Sequence, residues 1–355
     1  MSASAGWASD APTGIGGGEP FGNMPDGTPV HRFAIRGGGL RARILTFGAV
    51  VQDLRLDGHD APLVLGFETL GHYLDHSPWF GAIVGRYANR IAGGRFILDG
   101  ERFDTDANDN GNTLHGGRDG LDRRVWRLAG RGEDFVTLSL HDPDGAMGFP
   151  GGLDISCTYR LKPPATLAVE LAATCDRPTL CNLAHHSCFN LDDGGRSDIF
   201  GHRLAIAASA WLPLDRRSIP TGEVRPVEGT AFDFVLARPI GGARAGERLL
   251  YDHNFCLSAA RGPLRQAAWV QGGASGVEME VWTTEPGLQF FTGHFPDRTV
   301  PGLDGIVYRA SAGLCLEPQV WPDSPNRPYF PQAVLRPGEQ YRQASEFRFR
   351  LPGDL

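Results

Sequence analysis

The segment Cys181-Asn182-Leu183-Ala184-His185-His186-Ser187-Cys188-Phe189-Asn190-Leu191 sets two adjacent histidines among small polar and apolar residues, and ends at Asp192-Asp193-Gly194-Gly195. It reads as a strand running into a turn. Neighbouring side chains on a strand point to opposite faces. Only one of His185 and His186 can therefore face a given pocket, and His186 is the one expected to do so. Alone, such a pair is commonly a satisfied core histidine beside a surface one. Three other stretches change that balance: Asn112-Thr113-Leu114-His115-Gly116-Gly117, Tyr251-Asp252-His253-Asn254-Phe255 and Glu317-Pro318-Gln319-Val320-Trp321-Pro322-Asp323. Each sets ionisable groups against glycine, proline or aromatic residues, as a site assembled from distant strands would.

Glu317 ends the short apolar run Gly313-Leu314-Cys315-Leu316. Unless it is only a solvated strand terminus, Glu317 with His186 supplies the minimum for paired proton transfer, in which one group takes a proton while the other gives one. Metal binding is a rival, since His115, His186, His253 and Glu317 offer suitable ligand types. Their spacings match neither H-x-H nor H-E-x-x-H, so that signal is weak. A serine hydrolase is weaker still, because no G-x-S-x-G occurs. Glycoside hydrolysis needs two flanking carboxylates, for which Asp252 and Glu317 are the candidate pair. In Gly85-Arg86-Tyr87-Ala88-Asn89-Arg90-Ile91 the two arginines suit either a structural ion pair or a hydrogen-bond fork for an oxygen-rich ligand.

The elements that must position these groups read as strands. Forty-eight glycines and 26 prolines spread over 355 residues suit many short strands joined by tight turns. Period-two alternation marks Leu40/Ala42/Ile44, Val50/Gln52/Leu54/Leu56, Val136/Leu138/Leu140, Leu153 to Leu161, Leu167 to Ala173, Leu204/Ile206/Ala208, Val277/Met279/Val281 and Phe347/Phe349/Leu351. Asp99-Gly100 is a two-residue hairpin signal. Residues 66–80 read as a loop. Strands at this spacing, without helical periods between them, predict an all-β sandwich or barrel.

Length alone leaves the domain count open, but no internal repeat or linker appears. The expectation is a flexible tail over residues 1–20 and a single domain over 21–355. A formal charge of −7 without a basic stripe argues against a nucleic-acid partner. The six cysteines contain no C-x-x-C and fit reduced thiols in a cytosol. No run of 18 apolar residues and no signal-peptide pattern occurs, so the chain reads as cytoplasmic, with no membrane partner.

Six stretches then carry a resemblance. Gly85 to Ile91, Asn112 to Gly117, His186-Ser187-Cys188-Phe189-Asn190-Leu191, Asp252-His253-Asn254-Phe255, Gln289-Phe290-Phe291-Thr292-Gly293 and Glu317-Pro318-Gln319 with Trp321-Pro322-Asp323 are similar, in order, to the successive signatures of the aldose 1-epimerase (galactose mutarotase) family. The resemblance spans about Val30 to Leu351. It implies a large twisted antiparallel β-sandwich of the galactose-mutarotase-like type, with a monosaccharide bound in a cleft on one sheet. It further implies Glu317 as general base, His186 as general acid, and Asn89, Arg90, His115, Asp252 and Gln289 as ligands of the sugar hydroxyls. No cofactor and no metal are expected, and the state is a monomer or homodimer.

Three positions depart from the family pattern: Pro318 stands where Thr is common, Cys188 where an aromatic is common, and Glu285 where Gln is frequent. None removes a proton-transfer group. The alternatives kept beside this reading are a non-catalytic sugar-binding protein and an epimerase of phosphorylated sugars, for which Arg86 or Arg118 would be the extra anchor.

Overall fold

The computed structural model describes residues 17–242 and 248–353. Alternation decides the architecture: along Leu153–Lys162, Leu153, Ile155, Cys157, Tyr159 and Leu161 are buried while the residues between them are not. This strand pairs antiparallel over its whole length with Thr166–Cys175, from Leu153 opposite Cys175 to Lys162 opposite Thr166. A slip of one residue would turn five apolar side chains outward, so the register is strongly specified.

Both strands belong to a nine-stranded antiparallel sheet. Its order is Arg127–Arg131, Phe135–Asp142, Leu153–Lys162, Thr166–Cys175, Tyr341–Arg350, Glu278–Thr283, Arg265–Gln271, Arg203–Ile206 and Arg238–Pro239. A six-stranded sheet runs Cys188–Phe189, Leu314–Gln319, Gly287–Phe291, Asp252–Cys256, Ala210–Trp211 and Arg225–Pro226. One buried cluster joins them: Leu171, Val281, Met279 and Phe347 of the larger sheet meet Phe189, Phe255, Leu288, Phe290 and Leu316 of the smaller. Such shared apolar burial is what holds two sheets face to face. A further sheet of Glu19–Asn23, Pro29–Gly37, Leu40–Leu45 and Val51–Leu56 contributes Phe33, Ile35, Ile44 and Leu54 to the same cluster. The all-β sandwich expected from the sequence is the fold observed.

Three local details refine the sequence reading. Asp99 and Gly100 both have positive φ, 51° and 84°, and close the hairpin Arg95–Leu98 and Glu101–Asp104 as expected. The stretch 66–80, read as a loop, contains a short α-helix, Leu70–His76; the Thr69 hydroxyl caps it by accepting from the His72 N–H at 3.3 Å. One turn-spaced pair, Leu70 and Tyr73, supplies its buried face, too little repeat for a helical period to show. Of the expected tail, residues 1–16 lie outside the described residues, whereas Glu19 and Pro20 already pair with Arg32 and His31 in the first strand. Among the described residues no helix is long and apolar enough to cross a membrane.

Candidate active site

Two neighbouring strands bring His186 and Glu317 together. Cys188–Phe189 pairs with Leu314–Gln319 through Cys188 opposite Cys315. Glu317 lies two residues after Cys315 on the same face of its strand, and His186, two residues before Cys188 and just outside that strand, comes within 4.8 Å of both cysteine sulfurs. Glu317 sits inside its strand rather than at the end expected. The His186 Nε2 and Glu317 Oε1 atoms are 3.5 Å apart, and both side chains are almost completely buried. Two hydrogen bonds pin the backbone of His186: its N–H donates to the Ala82 carbonyl at 2.9 Å, and its carbonyl accepts from Gly81 at 3.0 Å. His185 points the other way, against the Tyr159 and Phe347 rings. Of the two neighbours it is thus His186 that meets Glu317, and His185 that packs into the core.

The other expected groups surround this pair. His115, at φ 52°, lies with its ring 5.3 Å from that of His186. Its Nδ1 accepts from the Asn89 N–H at 3.2 Å, which leaves the neutral ring's proton on Nε2. Gly116 must be glycine, because at φ 86° an added Cβ would lie 2.1 Å from the Gly85 carbonyl oxygen. Arg90 donates from Nε to Asp109 at 2.7 Å, and its Nη1 lies 3.6 Å from Asp252. Asp252 also accepts from the Gln289 amide at 2.6 Å, and Gln289 is the cross-strand partner of Glu317. Asn89 lies at φ 63°, its side-chain carbonyl accepting from the Arg90 N–H at 2.9 Å.

His186 Nδ1, Glu317 Oε2 and Gln289 Oε1 are buried with no hydrogen-bond partner among the described residues. Buried polar atoms normally have partners, so three orphans on residues at or beside the His186–Glu317 contact suit a polar ligand there.

The pair titrates unusually. Burial raises the Glu317 carboxyl to about 7, with the His186 charge opposing it. Burial would lower His186, but the Glu317 charge and a hydrogen bond with Cys188 outweigh it and hold the imidazole up at about 9. Between these values the pair is carboxylate and imidazolium, ready to take one proton and give another. His115 is pushed well below its ordinary value by burial, then by the charges of His186 and Arg90, so it is a neutral donor.

Not every candidate joins the site. His253, adjacent to Asp252, points away and packs against Trp211 and Phe232. Of the four proposed metal ligands, only His115, His186 and Glu317 offer atoms within 4.8 Å of one another. Arg86 is fully buried and spent on Asp142 at 2.7 Å and the Pro150 and Gly151 carbonyls, so it is the structural ion pair and not the ligand fork. Arg118 is exposed and paired with Asp106. The Glu285 carboxylate is answered by Arg261 at 2.7 Å. Trp79 lies in the stretch 66–80 that reads as a loop, and nothing in the sequence singles it out. At φ 65° it holds its ring 4.9 Å from His115 and 5.9 Å from His186, walling the site. A positive φ at tryptophan could not be read from the sequence.

A buried carboxylate–imidazole pair with amide, guanidinium and imidazole groups around it, set on a β-sandwich, is an arrangement suited to proton transfer on a small polar molecule. The particular family follows from comparison: the sequence model of the aldose 1-epimerase family matches residues 31–348, and the chain belongs to that family. It is 42% identical over 343 residues to a galactose mutarotase of Mus musculus, covering 93% of this chain and 97% of that one. It is 37% identical over 336 residues to an aldose 1-epimerase of Escherichia coli K12, covering 92% and 96%. The crystal structure of a GalM/aldose epimerase homologue from C. elegans superposes with a TM-score of 0.85 at 31% identity, covering 91% of this chain and 99% of that one.

Proposed function

We propose that this isomerase interconverts the α and β anomers of free aldoses such as glucose or galactose, with Glu317 as base and His186 as acid. Ionised Glu317 takes the proton of the anomeric hydroxyl while the His186 imidazolium protonates the ring oxygen. The bond between the anomeric carbon and the ring oxygen breaks, and the free aldehyde forms. Rotation about the bond between the first two carbons presents the other carbonyl face. The reversed transfers, His186 as base and Glu317 as acid, close the ring as the other anomer and restore both groups. Each transfer contributes about 10²- to 10⁴-fold. The cycle is redox-neutral and needs only these two proton carriers.

Asn89, Arg90, His115, Asp252 and Gln289 hold the sugar hydroxyls, and Arg90 and His115 steady the oxygens of the opening sugar. The observation that carries the reading is the buried 3.5 Å contact between His186 Nε2 and Glu317 Oε1, flanked by buried atoms without partners. The engagement of Arg86 within the protein leaves a phosphorylated sugar without one of its two candidate anchors.

Polarimetry of freshly dissolved α-D-glucose and α-D-galactose tests this directly. The wild type should speed the approach to an unchanged final rotation, and Glu317→Gln and His186→Asn should each lower kcat/KM by about 10²- to 10⁴-fold. Full activity in either variant would remove that residue from its role.

A further inference from the structure

Beside the proton-transfer pair lies a second pair that the reaction does not use. Cys188 and Cys315 are cross-strand partners, both completely buried, with their sulfurs 2.8 Å apart. Among the described residues no other two cysteine sulfurs come within hydrogen-bond reach. Directly opposed residues on antiparallel strands have Cα atoms about 4.5–5.5 Å apart, within the roughly 4.4–6.8 Å that a disulfide spans. The two strands therefore need no displacement for a bond to close.

We propose that Cys188 and Cys315 form a reversible disulfide, a modification site for small peroxide-class oxidants, which ties the strand bearing His186 to the strand bearing Glu317. The local environment favours Cys188 as the attacking sulfur. Burial would raise its thiol, but hydrogen bonds with Cys315 and His186 outweigh burial and pull it below its ordinary value. A thiol so placed is more nucleophilic near neutrality than an inert buried one. Burial, together with its hydrogen bond to Cys188, instead pushes the Cys315 thiol up, so it waits protonated as the resolving partner.

The steps balance. The Cys188 thiolate attacks one peroxide oxygen, the O–O bond breaks, and the departing hydroxide takes a proton to leave as water, giving a sulfenic acid. The Cys315 sulfur then attacks the Cys188 sulfur; the S–S bond forms, and the hydroxyl departs with the Cys315 proton as a second water. Two thiols and one hydrogen peroxide give one disulfide and two waters, the peroxide being reduced by two electrons and each sulfur giving one. Closure also takes from His186 the thiol that helps to hold its proton.

The test is a thiol count on the full chain after hydrogen peroxide, alkylation and denaturation. The reduced chain has six cysteines. Oxidation should lower the count by two, peptide mapping should find Cys188 joined to Cys315, and dithiothreitol should restore all of them. Cys188→Ser and Cys315→Ser should each abolish the linked peptide, while Cys256→Ser, remote from the pair, should leave it forming. Because wild-type mapping alone decides the question, a poorly folded variant does not rescue or sink the idea. A full thiol count after peroxide, losses confined to Cys175 and Cys256, or a Cys188 sulfinic acid without the bond would each overturn it. The count reads sulfur chemistry alone, so its outcome is independent of whether the chain turns over sugars.

Discussion

His185 and His186 are the same residue type one position apart, and the fold drives them in opposite directions. Burial, then the charge of its neighbour, pushes His185 down to about 3, while the Glu317 carboxylate holds His186 up at about 9 against burial. What separates them is the face of the strand. The productive state requires Glu317 ionised and His186 protonated, so kcat/KM should rise as pH passes through about 7 and fall as it passes through about 9. The two limbs belong to the coupled pair rather than to either residue alone. Mutarotation rates measured from pH 5 to 10 and corrected for spontaneous reaction check this. A rate falling monotonically from pH 6 upward would mean that the base is not a carboxylate raised by burial.

At the scale of elements, the site depends on loops that charged side chains fasten from behind. Arg86 reaches across from the segment before Asn89 to Asp142 and to the carbonyls of the adjacent Pro150 and Gly151, tying its own segment to the end of the strand Phe135–Asp142 and to the loop that follows. Arg86→Ala leaves the buried Asp142 carboxylate with only the longer contact from Arg124 at 3.4 Å, and removing one member of a buried pair typically costs about 3–5 kcal/mol. Denaturant melts should show that loss, with a larger proportional fall in kcat/KM than in solubility because Asn89 and Arg90 follow directly in the chain. The residue types and spacing alone do not tell Arg86 from Arg90; only the family resemblance separates them. Both sit among small residues, and which one meets a ligand depends on the carboxylates that fold against them: Asp142 for one, Asp109 and Asp252 for the other. By contrast, the long strands were legible because ten-residue alternation leaves little choice of face. The helix Leu70–His76 and the exact depth of Glu317 in its strand were not, since both are set by tertiary contacts rather than by local period.

For the whole molecule, the order of strands in space matters more than their order in the chain. Tyr341–Arg350, which the sequence marks only through the alternation of Phe347, Phe349 and Leu351, lies in the middle of the nine-stranded sheet between Thr166–Cys175 and Glu278–Thr283. Phe347 from this strand meets the His185 and Phe189 rings behind the acid–base pair. The same apolar cluster includes Phe33 and Ile35 from the beginning of the chain and Phe349 from its end. No single cut through the chain separates two cores, and we propose that residues 21–355 fold as one cooperative unit. Calorimetry should then give one transition whose calorimetric and van't Hoff enthalpies agree. Truncation after Gln340 should do more than trim an edge: it removes two sheet interfaces at once and strips the cover from His185. The shortened chain should fail to give a cooperative melt, even with substrate sugar present. Two resolved transitions in the full chain, or a truncated chain that still melts cooperatively, would show instead that part of the sandwich folds independently of its last strand.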